Sequence, residues 1–128
     1  PGPLPKTAME WEIYPDGLHY FLKRTHEEYT KGLPLYVTEN GMAAPDVAHG
    51  GQVDDPHRID YLNAHIAAVR AALAEEVPVA GYYIWSLMDN YEWALGYEKR
   101  FGLIHVDFET LQRTPKASYH SLASALAR

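Results

Sequence analysis

The sequence contains no cysteine, which excludes disulfides, thiol nucleophiles and zinc sites built on sulfur. A cytoplasmic chain is the expectation. Cations are also in short supply: eleven Lys and Arg stand against seventeen Asp and Glu, for a formal net charge of -6. Phosphate contacts need a local excess of Lys and Arg, so no nucleic-acid partner is expected. No run approaches the roughly 18 apolar residues of a membrane span, and the opening Pro1-Gly2-Pro3-Leu4-Pro5 lacks the charged and apolar regions of a signal peptide. A soluble chain with no membrane partner is therefore expected. An initiator Met is missing too, and a chain cut from something longer is the expectation.

What is present suits a folded core, since 47% of the 128 residues are apolar. Asp16 and Gly17 open a segment with Leu18, Phe21, Leu22 and Tyr29 on roughly one helical face, and Gly32 stands where a helix terminator belongs, which predicts a helix over about 17–31. Residues 35–39 form a short apolar run expected to be a strand covered on both faces. After a polar loop over 41–54, Asp55-Pro56 supplies a cap and a first-turn proline. Ile59, Leu62, Ile66, Val69 and Leu73 then mark one apolar stripe, with Arg58, Asp60, Arg70 and Glu75 off it, until Pro78 ends the helix. Val79 to Trp85 reads as a second strand, parallel to the first through a β-α-β crossover.

Residues 86–114 give no helix signal, although F-G-L-I-H-V-D-F at 101–108 could pair as a short hairpin. Thr114-Pro115 repeats the cap-and-proline pattern before a last helix carrying Tyr119, Leu122 and Leu126. Two parallel strands leave two open edges and cannot bury both of their faces. Further β-α units are therefore expected, in an open sheet or a closed barrel. In either, side chains at the C-terminal ends of the strands line the site, which is where Glu39 and Trp85 fall.

Glu39 ends an apolar strand, a costly place for a carboxylate unless hydrogen bonds or a ligand compensate. The competing reading is a surface acid beside the Asn40-Gly41 turn. W-S-L-M-D-N-Y-E-W at 85–93 gathers two indoles, a phenol, an amide and two acids in nine residues. Aromatic faces stack on the C–H faces of sugar rings while carboxylates and indole N–H groups pair with hydroxyls, so this is sugar-binding chemistry. The competing reading is an aromatic core corner with Asp89 or Glu92 as a helix cap. Tyr82 and Tyr83 are expected to pack in the wall of the fold.

T-E-N-G at 38–41, W-S-L-M-D-N-Y-E-W at 85–93, K-R-F-G-L-I-H-V-D-F-E-T at 99–110 and R-T-P-K at 113–116, preceded by M-E-W-E-I-Y-P-D-G-L at 9–18, resemble the C-terminal part of glycoside hydrolase family 1, the β-glucosidase family. The resemblance implies an α/β fold in which residues 1–128 are the C-terminal segment of a single (β/α)8 TIM barrel: strands seven and eight with their helices and the helix before strand seven. It implies Glu39 as the nucleophile of a retaining β-glycosidase. Trp85 is then the platform beneath the sugar, Glu92 the ligand of the hydroxyls at C4 and C6, Trp93 that of the hydroxyl at C3, and Phe101 an aromatic near the hydroxymethyl group. No metal and no organic cofactor are implied.

The family's acid/base glutamate lies in a T-F-N-E-P motif that these 128 residues lack, and retention needs two carboxyl groups about 5–5.5 Å apart. The expected partners are a β-glucoside or oligosaccharide substrate and the rest of the barrel, or further copies of the chain. The alternative function is an inactive barrel fragment serving as an assembly or weak carbohydrate-binding module. His19, His26, His49, His57, His65, His105 and His120 are scattered without metal-ligand spacing. The Asp46 to Asp55 loop carries oxygen ligands but not the order of a calcium loop, and is expected to be solvated.

Overall fold

The computed structural model describes residues 2–127. Pro15 pre-sets the first turn of α1 (Pro15–Arg24), with Asp16 near its start and Lys23 and Arg24 in its last turn, each charge matched to the helix dipole. A π-helical turn, Thr25–Thr30, continues it. The helix expected over 17–31 is thus two segments. Its left-handed terminator is Lys31, at φ 44°, with Gly32 following at φ 103°. Of the predicted stripe only Leu22 is fully buried, while Phe21 and Tyr29 are exposed.

The strand β1 (Leu35–Asn40) pairs in parallel with β2 (Val79–Ile84), and α2 (Pro56–Ala74) makes the crossover between them. α2 buries Tyr61, Leu62, His65, Ala68, Val69 and Ala72, whereas Leu73 is exposed. Against β1 and β2 it closes a core of Leu22, Val69, Ala72 and Val77, capped by Leu18, Val37 and Tyr82. A second core joins Met42, Ala44, Tyr61, Leu62 and Leu103 to Tyr119 and Leu122 of α3 (Ala117–Leu126). Among the described residues β1 and β2 form a two-stranded sheet, and Tyr36 and Tyr83 stand exposed on them. Tyr83 is therefore not packed into a wall within this chain. No described helix is long and apolar enough to cross a membrane.

Three expectations fail locally. The hairpin does not close within 101–108: β3 (Ile104–Val106) pairs antiparallel with β4 (Arg113–Pro115). Thr114-Pro115 consequently lies on a strand rather than capping a helix, tolerable because a two-stranded ribbon leaves the proline an edge. Lys116, extended at φ -83° and ψ 168°, is the residue before α3.

The third failure concerns charge. Arg58, read as lying off the apolar face, is 1% exposed, and the ends of the supposedly solvated loop, Asp46 and Asp55, are buried beside it. Arg58 pairs with Asp46 and Asp55 at 2.7 Å each. Lys116, fully buried, reaches Asp46 at 2.5 Å and Asp89 at 2.9 Å, and Asp89 reaches Arg100 at 2.6 Å. Three acids and three cations alternate, which keeps a buried chain of charges neutral. Asp55 does not cap its own helix with its side chain. Its carboxylate accepts instead from the Ser118 N–H at 2.8 Å and the Ser118 hydroxyl at 2.6 Å, satisfying the first turn of α3.

Candidate active site

The ends of β1 and β2 open onto a cleft of about 470 Å3 lined by Trp11, Glu39, Asn40, Gly41, Tyr61, Trp85, Glu92, Trp93 and Phe101. Every residue the sequence singled out, Glu39, Trp85, Glu92, Trp93 and Phe101, is brought to this one cleft. Asp89 is not. Its oxygens accept from Lys116, Arg100, the Gly102 N–H at 2.9 Å and the Val106 N–H at 3.3 Å, all on the buried side. Burial pushes the Asp89 carboxyl up, but Lys116, then Arg100 and the Gly102 N–H, hold it below its ordinary value. Asp89 is a fixed anion that organises the loop.

The two strand ends are locked together. The Trp85 N–H donates to the Asn40 carbonyl at 3.0 Å, and the Tyr82 hydroxyl donates to the Asn40 side-chain oxygen at 2.6 Å. Gly41 has to be glycine here, because a Cβ would lie 1.7 Å from the Trp85 carbonyl oxygen. Beyond Trp85, Ser86 exchanges backbone hydrogen bonds with Phe101 and Leu103 at 3.3 and 2.9 Å, which brings Phe101, 2% exposed, under the cleft. Trp11 lines the cleft beside it, its ring centroid 6.2 Å from that of Phe101.

Glu92 is held as an acceptor: Asn90 Nδ2 donates to its Oε2 at 3.2 Å, and Asn90 Oδ1 accepts in turn from the Ser86 hydroxyl at 3.1 Å. Trp93 is 82% exposed and sits at φ 44°, a left-handed conformation that costs a bulky residue on the order of 1–3 kcal/mol. Such strain is found where a side chain must be presented rather than packed. Burial raises the Tyr61 hydroxyl above its ordinary value, with Asn40 beside it opposing the shift. Chemically the cleft offers aromatic faces with two carboxylates among them, the composition of a site for a ring bearing many hydroxyls.

Sequence reasoning missed Trp11 and Tyr61 as cleft residues. Trp11 lies in the M-E-W-E-I block yet carries no local pattern of its own, and Tyr61 reads as one more apolar residue of α2. Among the described residues no three His, Asp or Glu side chains are grouped to hold a metal.

A family model described as Glycosyl hydrolase family 1 matches residues 2–127. Beta-glucosidase A of Thermotoga maritima is 53% identical over 116 residues, covering 90% of this chain and 26% of that protein. A 6-phospho-beta-galactosidase of Clostridium acetobutylicum is 49% identical over 115 residues, covering 90% and 24%. The solved family 1 β-glucosidase of Thermotoga maritima in complex with isofagomine lactam superposes with a TM-score of 0.95 at 48% identity, over 99% of this chain and 29% of that one. The chain thus spans about a quarter of the length of the curated relatives it matches, and its fold is a portion of a TIM barrel. With nearly its whole length matched, the chain belongs to glycosyl hydrolase family 1.

Proposed function

We infer that this chain supplies the nucleophile and much of the sugar platform of a retaining β-glycosidase that hydrolyses terminal β-D-glucosyl residues. The observation that carries the reading is the convergence of Glu39 with Trp85, Glu92, Trp93 and Phe101 on one aromatic cleft at the ends of two parallel strands. The Glu39 carboxylate attacks the anomeric carbon, and a carbon–oxygen ester forms as the glycosidic bond breaks. A second carboxyl group protonates the departing oxygen, then takes a proton from the water that cleaves the ester. Neither Asp89, consumed by buried cations, nor Glu92, held as an acceptor by Asn90, fits that second role. It belongs to the preceding part of a single (β/α)8 domain, the partner this chain requires, and the isolated chain is inactive.

Relatives of both the plain and the 6-phosphorylated sugar class resemble the chain, and charge discriminates between them. No Lys or Arg is among the described residues lining the cleft, while two carboxylates are. A sugar 6-phosphate carries about -1.5 to -2 charges at pH 7, and its desolvation there would go uncompensated. The unphosphorylated glycoside is the substrate. The test joins residues 1–128 to the preceding part of the Thermotoga maritima relative and assays 4-nitrophenyl β-glucoside and its 6-phosphate. Turnover of the first only, with a 2-fluoroglucosyl label trapped on the peptide containing Glu39, is expected. A label on another residue, or preference for the phosphate, would remove the reading.

A further inference from the structure

We propose that Tyr82 and Asn40 are positioning residues, a side-chain staple across a bulge in β1 that sets the direction of the Glu39 carboxylate. The proposal rests on Glu39 being the nucleophile.

Three observations on the strand pair meet at this point. The ladder pairs Val37 with Tyr82 and next Asn40 with Ile84, so three steps along β1 oppose two along β2. One extra residue is accommodated at Thr38–Glu39, which is a β-bulge. Exposure says the same: along β1 it alternates until Thr38 and Glu39, which are exposed in succession. An extra residue lacks a ladder partner, so its peptide planes can turn, and bulges beside active sites are where a side chain is re-aimed. The direction of Glu39 therefore depends on what holds Asn40 beyond the bulge.

Tyr82 is placed to do this because it touches both sides of the irregularity. Its backbone is the partner of Val37 before the bulge, and its hydroxyl donates to Asn40 Oδ1, 2.6 Å away, after it. The Asn40 carbonyl is meanwhile fixed by the Trp85 N–H at 3.0 Å. One phenol thus closes the loop that the extra residue opens. Burial, with Tyr61 adjacent, holds the Tyr82 hydroxyl well above its ordinary value, so it remains a donor at any working pH. Neither Tyr82 nor the Asn40 amide needs to touch the sugar for this role. Misplacing an attacking atom by about 1 Å is enough to cost up to roughly 100-fold in rate.

The test uses the completed barrel and an aryl β-glucoside whose leaving group needs no acid. Tyr82→Phe lowers kcat roughly tenfold with KM nearly unchanged. Asn40→Ala gives a similar drop, and the double variant is no worse than either alone. Glu39→Gly has no carboxylate to aim; added azide then attacks the anomeric carbon, the aryl oxide leaves with the bonding pair, and an α-glycosyl azide forms. That rescued rate is expected to be the same in Glu39→Gly and in Glu39→Gly/Tyr82→Phe. Unchanged kcat in Tyr82→Phe, additive losses in the double variant, or an equal fall of the azide-rescued rate would each overturn the proposal. Failure of azide to rescue Glu39→Gly itself would overturn the nucleophile assignment, and the staple with it.

Discussion

In the completed barrel Glu39→Gln is expected to cut turnover of an aryl β-glucoside by roughly 10^4-fold or more, with little change in affinity for a glucose analogue. The amide keeps the size of the carboxylate and one accepting oxygen, so the hydroxyl contacts of a ground-state sugar survive. It carries no charge to meet the developing positive centre and forms no glycosyl ester from which water can complete the reaction. The loss falls on kcat and not on binding, the signature of an interaction made in the transition state. Calorimetric affinity beside single-turnover rates separates the two. Turnover within about tenfold of the parent would take Glu39 out of the reaction and leave the cleft as a sugar-binding surface.

The parts of this arrangement that were legible in sequence are those with local causes. Two short apolar runs, a first-turn proline and a three-and-four apolar stripe between them define β1, α2 and β2 as a parallel β-α-β unit, although β1, expected to be covered on both faces, leaves Tyr36, Thr38 and Glu39 exposed in this chain. The cleft residues of 38–41 and 85–93 were visible because a lone acid ends an apolar strand in the first block, while aromatic and acidic side chains crowd together just past β2 in the second. Trp11 and Tyr61 were not, since nothing near them in sequence distinguishes a cleft residue from a core one. Thr114-Pro115 misled for a related reason. The pattern that starts a helix also fits an edge strand, and only pairing with Ile104–Val106, which sequence does not announce, decides between them.

The buried charges were the least legible feature, and they bear on function. Arg58, Asp46, Asp55, Lys116, Asp89 and Arg100 are drawn from five places in a span of 71 residues, and nothing beside any of them in sequence announces that they meet. Together they hold the segments from which the cleft is built. Arg58 donates to the Arg100 carbonyl at 2.8 Å and the Met42 carbonyl at 3.4 Å, so one guanidinium braces the residue before Phe101 and the residue after Gly41. Burial works against the Arg58 charge, yet its bonds to Asp46 and Asp55 raise its affinity for the proton above the ordinary value. The segments on either side of the cleft floor are thus tied to one layer of alternating charges.

Asp89→Asn should expose how much that layer contributes, with an expected loss of about 3–5 kcal/mol in the completed barrel. The substitution preserves shape but leaves Arg100 and the fully buried Lys116 sharing fewer anions, and it turns an NH2 group toward donors at Arg100 and the Val106 N–H. Asp89→Asn/Lys116→Met, which restores neutrality, should be less destabilised than the two single losses summed. The pH dependence follows from the depressed Asp89 carboxyl. An acid bound more weakly to its proton when folded stabilises the fold above its unfolded value near 3.9, and that contribution is lost as pH falls through the lower folded value. The parent should therefore lose stability steeply below about pH 4, and Asp89→Asn should lack that part of the decline. Urea denaturation at pH 7 and through the acid range measures both effects. Additive single losses, or acid curves that run parallel in parent and variant, would mean that Asp89 is held by its backbone hydrogen bonds alone and that the charges beneath the cleft are independent pairs.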